Sequence, residues 1–348
     1  MRIGIVGAGA IGGWIGVSLA ARGHEVSVLA RGATLETLRG RPWRLTRGGG
    51  VVEAVVRASG DAGELGEQDV VFLTVKGPAL APSAPRIAAM IGERTIVVPA
   101  MNGVPWWFLL GGAGSLGPTR LSSVDPDGTI ERAIPFSRVI GCVVHASAAA
   151  PEPGWTVHNS GNKLILGEPV GGVSARLRVL ANAMEEAGFE AVVSAHIQRD
   201  IWYKLWGNMT MNPISALTGA TCDRILDDPL VNDFVLRIMA EAAEVGRRIG
   251  CDVEERGEDR NAVTRQLGAF KTSMLHDAET GRPLEIDHII SAPREIARAL
   301  GLATPNMDAL LGLTRLFART RHLYEPSRDV SGRGDVRIEP SRAQERSP

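Results

Sequence analysis

Lys204, Asn208 and Asn212 are the residues whose types and spacing most directly suggest chemistry in this chain. They recur every four residues within IWYKLWGNMTMNPISAL, so a helix places all three on one otherwise apolar face. One ammonium and two amides in such surroundings can form the wall of a ligand pocket. They can equally be a buried lysine whose hydrogen-bonded partners hold two helices together. The three residues alone leave both interpretations open.

Composition excludes several classes of function. The chain has 348 residues, 44% of them hydrophobic and 22% charged, which is typical of a globular protein of about two domains. A net charge of -1 provides no long-range field for nucleic acid or an anionic membrane, so neither is an expected partner. Three widely spaced cysteines, Cys142, Cys222 and Cys251, suit reduced thiols in a reducing compartment. We therefore expect a cytoplasmic protein that contains no metal site.

A glycine-rich fingerprint opens the chain. A short apolar strand is followed by G-x-G-x-x-G and then by a helical pattern, which is the order that dinucleotide binding requires. The first glycine allows the tight turn, the second lets a pyrophosphate approach the backbone, and the third lets the helix pack on the strand. The alternative is a glycine-rich turn without a ligand. The predicted cofactor-binding segment is Gly7, Ala8, Gly9, Ala10, Ile11 and Gly12.

Arg31 indicates which dinucleotide is preferred. It stands just after the second predicted strand, where an NAD site usually has a carboxylate for the ribose hydroxyls. A guanidinium can instead hold the 2′-phosphate of NADP with two parallel hydrogen bonds. A solvated surface arginine is the alternative. The sequence therefore favours NADP, in its reduced form NADPH.

Polar residues follow two further strands of a predicted parallel sheet. Residues 69–75 and 95–100 are apolar runs typical of strands covered on both faces, and Lys76 and Asn102 come directly after them. The carboxyl ends of such strands form the ligand-binding edge of a doubly wound sheet. A solvated loop lysine and a plain Asn-Gly turn are the alternatives. Residues 138–167 are again strand-like, and we expect them to complete this sheet.

The second half of the chain is predicted to be helical. Apolar periodicity predicts helices over residues 174–187, 199–217, 229–249, 256–275, 284–300 and 305–319. The predicted fold is α/β, with an N-terminal Rossmann-type doubly wound parallel sheet followed by an all-helical C-terminal domain. The predicted divisions are a dinucleotide domain (1–195) with an insertion near 104–137, a helical domain (196–324) and a disordered tail (325–348).

The chain resembles the ketopantoate reductase family from its first residue to about residue 319. The segments that carry the resemblance are IGIVGAGAIGG, VKG at Lys76, NGV at Asn102, the K-x-x-x-N-x-x-x-N helix and KTSMLHDAETGRPLEIDHI. The resemblance implies NADPH-dependent reduction of a 2-oxo acid, 2-dehydropantoate, to pantoate for pantothenate and coenzyme A synthesis. The sequence leaves the oligomeric state open, with a homodimer as one alternative.

The same resemblance implies a role for each matched residue. Lys204 is the general acid, and its apolar surroundings are expected to lower its pKa toward neutrality. Glu285 is a catalytic residue that contacts the cofactor near its nicotinamide ribose and pairs with Lys204 before substrate binds. A carboxylate that merely favours a helix start is its alternative. Substrate-binding residues are Asn102, Asn208, Asn212 and Ser273, and Ser273 is expected to bind the substrate carboxylate. Further cofactor-binding residues are Lys76, Asn102, Ser147 and Glu285.

Two departures from the family pattern leave the exact substrate open. The insertion contains Trp106 and Trp107, which can cover the substrate, reshape its pocket or pack a subdomain, and we expect packing. Cys222 stands where some family members have a substrate-contacting asparagine. The rival interpretations are a related NAD(P)-dependent 2-oxo or β-hydroxy acid reductase and a non-catalytic NADP-sensing protein.

Overall fold

The computed structural model describes residues 1–325 and contains two sheets followed by a set of helices. Most of the predicted tail, 325–348, lies outside the described residues. The strands are β1 Arg2–Val6, β2 Glu25–Leu29, β3 Trp43–Arg47, β4 Gly50–Ala54, β5 Arg57–Ser59, β6 Val70–Leu73, β7 Ile96–Pro99, β8 Gly141–Glu152, β9 Trp155–Gly167 and β10 Glu190–Ser194.

The helices alternate with the early strands and then dominate the chain after β10. They are α1 Ala10–Ala20, α2 Gly32–Gly40, α3 Ala62–Leu65, α4 Gly77–Ile87, α5 Thr129–Ala133, α6 Ala175–Glu186, α7 Ile197–Thr218, α8 Cys222–Asp227, α9 Pro229–Arg248, α10 Gly257–Arg265, α11 Ser273–Glu279, α12 Ala292–Ala299 and α13 Pro305–Thr320. No helix in residues 1–325 is long and apolar enough to cross a membrane.

The first sheet is parallel and has the order β5-β2-β1-β6-β7. All four residues of β6 and of β7 are buried, because helices and the second sheet cover both faces. The strand order reverses between β1 and β6, and the carboxyl ends of these strands meet at one edge. This arrangement, followed by the helical region, confirms the predicted fold class.

The expectation that residues 138–167 complete the first sheet is wrong. They form β8 and β9, an antiparallel hairpin that pairs with the β3–β4 hairpin and with β10 in a second sheet of order β10-β9-β3-β4. Within residues 1–325, one isolated bridge, Val97 to Val139, leads from the first sheet toward it. The tight turn at Gly154 lets β8 and β9 satisfy each other's backbone groups, so the hairpin does not extend the first sheet.

Helix α1 is enclosed on nearly every side because it packs between the two sheets. A Cβ on Gly16 would lie 2.7 Å from the Trp43 ring of β3, and one on Gly13 would collide with Thr156 of β9. Trp14 stacks on His158 with ring centroids 5.2 Å apart. The glycines thus allow the helix that follows the fingerprint to lie close to both sheets.

The central element of the helical region is α7, whose 22 residues carry the lysine and asparagine stripe. Trp202 and Trp206 donate indole hydrogen bonds to the Ala242 and Met239 carbonyls of α9, at 3.1 and 2.7 Å. The single helix predicted over 256–275 is wrong, because the chain breaks into α10 and α11. Gly268, at φ +63°, adopts a left-handed conformation that ends the first of them.

The insertion at residues 104–137 packs as part of the core. Trp106 and Trp107 are each only 1% exposed, which agrees with the expected packing role rather than a cover over the substrate. Phe108 lies against Trp202 of α7, with ring centroids 6.1 Å apart. The Glu295 carboxylate of α12 accepts hydrogen bonds from the backbone N–H groups of Ser122 and Ser123. The insertion therefore connects the sheet region to the helices.

Candidate active site

Lys204 lies where the helical region meets the carboxyl edge of the first sheet. Its half-buried ammonium donates to Oδ1 of Asn102 at 2.9 Å and to the backbone carbonyl of Val144 at 2.6 Å. Asn102 follows β7, and Val144 belongs to β8. Three separate elements thus fix the position of one amine.

The surroundings of Lys204 lower the pKa of its ammonium group. Burial lowers its pKa from 10.5 to about 8, and the carboxylate of Glu285 opposes that shift only in part. The same burial, opposed by the Lys204 charge, raises the pKa of the neighbouring Cys142 thiol to about 12. At neutral pH Lys204 is therefore an ammonium close to its titration point, which is suitable for proton donation.

Asn208 shares a cleft with Lys204, whereas Asn212 lies deeper. Asn208 is half-buried, one turn beyond Lys204, and Asn212 is only 5% exposed. The cleft opens between α7, the residues that follow β7 and the start of β8. Its lining comprises Met101, Asn102, Gly103, Cys142, Val143, Ile201, Lys204, Leu205 and Asn208.

Glu285 contacts the start of α4 directly, but it does not pair with Lys204. Its Oε1 accepts a 3.0 Å hydrogen bond from the backbone N–H of Gly77, the first residue of α4. Burial raises the pKa of Glu285, while the Gly77 bond and the charges of Lys76 and Lys204 act in the opposite direction. Among residues 1–325, no ion pair within 4.0 Å joins Glu285 to Lys204. The expected pairing is therefore absent, because Lys204 is directed at Asn102 and Val144 instead.

Lys76 is paired with a residue of the helical region. Its Nζ lies 2.5 Å from Oδ1 of Asp277 on α11, whose side chain is only 9% exposed. Lys76 precedes α4, so this ion pair and the Glu285 bond both join the start of α4 to the region after α10. The lysine expected near the cofactor is thus held at the junction of the two regions.

The fingerprint turn fits the pyrophosphate of a dinucleotide. Gly7 has φ +102°, and a Cβ on Gly12 would collide with the Gly7 carbonyl and lie 2.6 Å from Thr74 Oγ1. No atom lies within 4 Å of a Cβ placed on Gly9, so the backbone there is open to a ligand at the start of α1. Arg31 is exposed after β2, and no ion pair to it is found among residues 1–325. These features suit the phosphates of a nicotinamide dinucleotide.

Ser147 and Ser273 are two further expected site residues, and neither forms a hydrogen bond with Lys204. Ser147 lies on β8, three residues after Val144, where it pairs with Ser160 of β9 beside an irregularity in register. Ser273 is exposed and begins α11. The structure places both on elements that border the cleft residues but records no bond between either hydroxyl and the cleft.

Several residues of the junction were not identified from sequence. The Val144 carbonyl and the Gly77 N–H are backbone groups, so no side-chain pattern could indicate them. Asp277 belongs to the quoted SML-x-D segment, which was the available signal for it. His288 is 4% exposed, and its carbonyl accepts from the Val104 N–H at 2.8 Å. A Cβ on Gly77 or Gly103 would collide with His288.

Comparison with known proteins identifies the family. The model described as Ketopantoate reductase PanE/ApbA matches residues 3–171, and Ketopantoate reductase PanE/ApbA C terminal matches residues 196–318. The chain is 43% identical over 325 residues to 2-dehydropantoate 2-reductase of Mesorhizobium japonicum, covering 93% of this chain and all of that one.

Solved structures give the same result. A putative ketopantoate reductase from Ralstonia solanacearum MolK2 is 57% identical with a TM-score of 0.89, covering 93% of this chain and 99% of that one. The 2-dehydropantoate 2-reductase of Methylococcus capsulatus is 28% identical with a TM-score of 0.79, covering 92% and 98%. The resemblance found in the sequence is thus confirmed, and the chain belongs to the ketopantoate reductase family.

Proposed function

We propose that this protein reduces 2-dehydropantoate to pantoate with NADPH, as a step of pantothenate synthesis. The enzyme class follows from the family, whose members are oxidoreductases acting on CH–OH groups. The observation that carries the proposal is the amine of Lys204, which donates to Asn102 and Val144 in the cleft where the sheet meets the helices.

In this proposal Lys204 supplies the proton of the reduction. When bound, NADPH would supply a hydride to the ketone carbon; the carbon–oxygen double bond would then become a single bond, and negative charge would develop on the oxygen. The Lys204 ammonium stabilises that charge and transfers one proton to the oxygen, which yields the hydroxyl of the product. Its pKa of about 8 makes the amine a stronger acid than an exposed lysine.

Other residues hold the reactants. The Gly7 to Gly12 turn and Arg31 would bind the phosphates of NADP, and Lys76, Ser147 and Glu285 would lie near the cofactor. Asn102, which accepts from Lys204, would contact both ligands and orient the amine. Asn208, Asn212 and Ser273 would bind the polar groups of the substrate.

The test of activity is NADPH oxidation measured by absorbance against a panel of 2-oxo acids that includes 2-dehydropantoate. We expect 2-dehydropantoate to give the highest kcat/KM and Lys204→Ala to lower kcat by about 10²- to 10⁴-fold. Lys163→Ala, at a lysine paired with Glu190, is the matched control and should retain activity. A wild-type protein that binds NADPH but oxidises it with none of these acids would support the NADP-sensing alternative. Another preferred acid would support the related-reductase alternative.

The test of cofactor preference uses Arg31. We expect Arg31→Gln to lower the ratio of kcat/KM for NADPH to that for NADH by about 10- to 100-fold, because one charged bidentate contact is lost. Arg22→Gln, at an exposed arginine after α1, is the control. An unchanged ratio in the Arg31 variant would contradict the assignment of NADP.

A homodimer remains a prediction that light scattering of the purified protein would test.

A further inference from the structure

A π-helical turn, Asp287–Ser291, begins two residues after Glu285 and leads directly into α12. The Ala292 N–H donates to the carbonyl of Asp287, five residues earlier, so the turn is wider than an α-helical one. Such turns are frequent at functional sites. His288 belongs to this turn, and its side chain is buried. The turn therefore carries a buried histidine close in sequence to Glu285.

The ring of His288 lies against the first residue of α4. A Cβ placed on Gly77 would collide with Cε1 and Nδ1 of that ring and stand 2.7 Å from its Nε2. Only a residue without a side chain lets the ring lie so close to the backbone. Gly77 directly follows Lys76 and donates its N–H to Glu285. The ring is therefore in contact with the loop that the proposed function places beside the cofactor.

The backbone of His288 meets the loop after β7. Its carbonyl accepts a 2.8 Å hydrogen bond from the Val104 N–H, and a Cβ on Gly103 would stand 2.7 Å from the Cβ of His288. Gly103, at φ +79°, lines the cleft together with Asn102 and Lys204. Asn102 in turn accepts a hydrogen bond from Lys204. A chain of direct contacts therefore runs from His288 through Gly103 and Asn102 to the amine.

The two loops that His288 contacts leave the same edge of the first sheet. They follow β6 and β7, which are neighbouring parallel strands. Nδ1 of His288 is buried and has no hydrogen-bond partner among residues 1–325, so this nitrogen offsets none of the cost of burying the ring. The contribution of the ring is its contact with the loop after β6, while the backbone of the same residue holds the loop after β7. One residue thus sets the spacing between the two loops.

We infer that His288 is a positioning residue of the reduction, whose ring and carbonyl fix the distance between the loop that faces the cofactor and the loop whose Asn102 orients Lys204. The inference rests on the proposed function and deepens it. The hydride donor and the proton donor must meet the two atoms of one carbonyl group, so their separation has to be fixed. A misplacement of about 1 Å can cost about 100-fold in rate. His288 acts on that separation through Gly77 and Gly103.

The experiment compares wild type, His288→Ala and Leu180→Ala in the NADPH oxidation assay, with the best 2-oxo acid of the panel. Turnover is expressed per NADPH-binding site, counted by fluorescence titration, so that unfolded protein does not enter kcat. We expect His288→Ala to lower kcat by about 10- to 100-fold, with KM for the acid and Kd for NADPH within about threefold of wild type. Leu180 is buried on α6 and does not line the cleft, so Leu180→Ala should lose stability but keep the wild-type kcat.

A second pair of variants tests the contact from the side of α4, and Gly77→Ala alone decides the matter if His288→Ala does not fold. Gly77→Ala drives a methyl group into the ring and should lower kcat. In the His288→Ala background the same methyl group enters the space that the ring leaves, so the double variant should regain part of the lost kcat.

Three results would overturn the inference alone in an active wild type. They are a kcat of His288→Ala or of Gly77→Ala within about twofold of wild type, an equal loss of kcat in Leu180→Ala, and additive losses from the Gly77 and His288 substitutions. A wild type that reduces no 2-oxo acid would overturn the proposed function and this inference together.

Discussion

Lys204 of α7 donates a hydrogen bond to Oδ1 of Asn102, so one bond joins the helical region to the carboxyl edge of the first sheet. The amide is neutral, so it orients the ammonium without raising its pKa as a carboxylate would. Burial consequently dominates, and the pKa of Lys204 falls to about 8. Asn102 thus orients the Lys204 amine through a hydrogen bond and, because it carries no charge, leaves the pKa of Lys204 low.

The first prediction concerns the pH profile of the reduction. Lys204 must be protonated to donate, so kcat/KM for the 2-oxo acid should fall as pH rises above about 8. Asn102→Asp places a carboxylate beside the ammonium and should move this fall to higher pH by about one unit or more. Asn182→Asp, an exposed change on α6, should leave the profile unmoved. An identical alkaline limb in wild type and Asn102→Asp would contradict the assignment of that limb to Lys204.

The second prediction separates binding from folding at the fingerprint turn. Gly9→Ala adds a methyl group into open space, so stability should not change while the Kd for NADPH rises by at least about tenfold. Gly12→Ala drives a methyl group into the Gly7 carbonyl and should cost about 1–3 kcal/mol of unfolding free energy. Thermal unfolding and NADPH fluorescence titration measure the two effects. Equal loss of stability in both variants would be inconsistent with the described turn.

The third prediction concerns the Lys76–Asp277 ion pair. Lys76→Met leaves the Asp277 carboxylate buried without its partner and should lower the free energy of unfolding by about 1–2 kcal/mol. The estimate is reduced because the Lys76 side chain is 35% exposed. Lys76→Met with Asp277→Asn should recover part of that loss, because no unpaired charge then remains. Urea unfolding of wild type, Lys76→Met, Asp277→Asn and the double variant measures the coupling.

The exposed Arg237–Asp233 pair on α9 is the matched control for that cycle. Its coupling should be at most about 0.5 kcal/mol, since water screens both charges. A Lys76–Asp277 coupling as small as this control would mean that the pair contributes no net stability at the junction.

The fourth prediction is a loss of stability in acid caused by His288. Burial lowers its pKa from 6.5 to about 4, so between these values the unfolded chain binds a proton that the folded protein does not. Stability contributed by the neutral ring is complete above pH 6.5 and declines as pH falls toward 4. Between pH 7 and pH 5 this group should cost the wild type about 2 kcal/mol.

His288→Gln should remove that part of the acid sensitivity in urea unfolding measured at the two pH values. His196→Gln, at an exposed histidine, is the control and should retain the wild-type difference. If His288→Gln lost as much stability as wild type between pH 7 and pH 5, the ring would not be the group responsible.

Much of the fold could be predicted because local patterns determine it. The turn after β1 has a positive φ that glycine readily adopts, and Gly7 occupies it. The apolar runs of β6 and β7 are buried on both faces, as their composition indicates. The second sheet could not be predicted, because β3 and β9 are about a hundred residues apart and their pairing leaves no local pattern. The break at Gly268 was missed because apolar periodicity continues on both sides of it.

Some features of the candidate site could likewise be predicted from the sequence, and others only from the tertiary structure. The sequence by itself placed Lys204 and Asn208 on one helix face and Asn102 after a buried strand, because helix period and strand order are local properties. Only the tertiary structure decided that Lys204 bonds Asn102 and Val144 rather than Glu285, and that Glu285 meets the Gly77 N–H. Those choices depend on how two regions of the chain pack against each other. Burial and hydrogen-bond geometry arise from that packing, and no spacing along the chain encodes them.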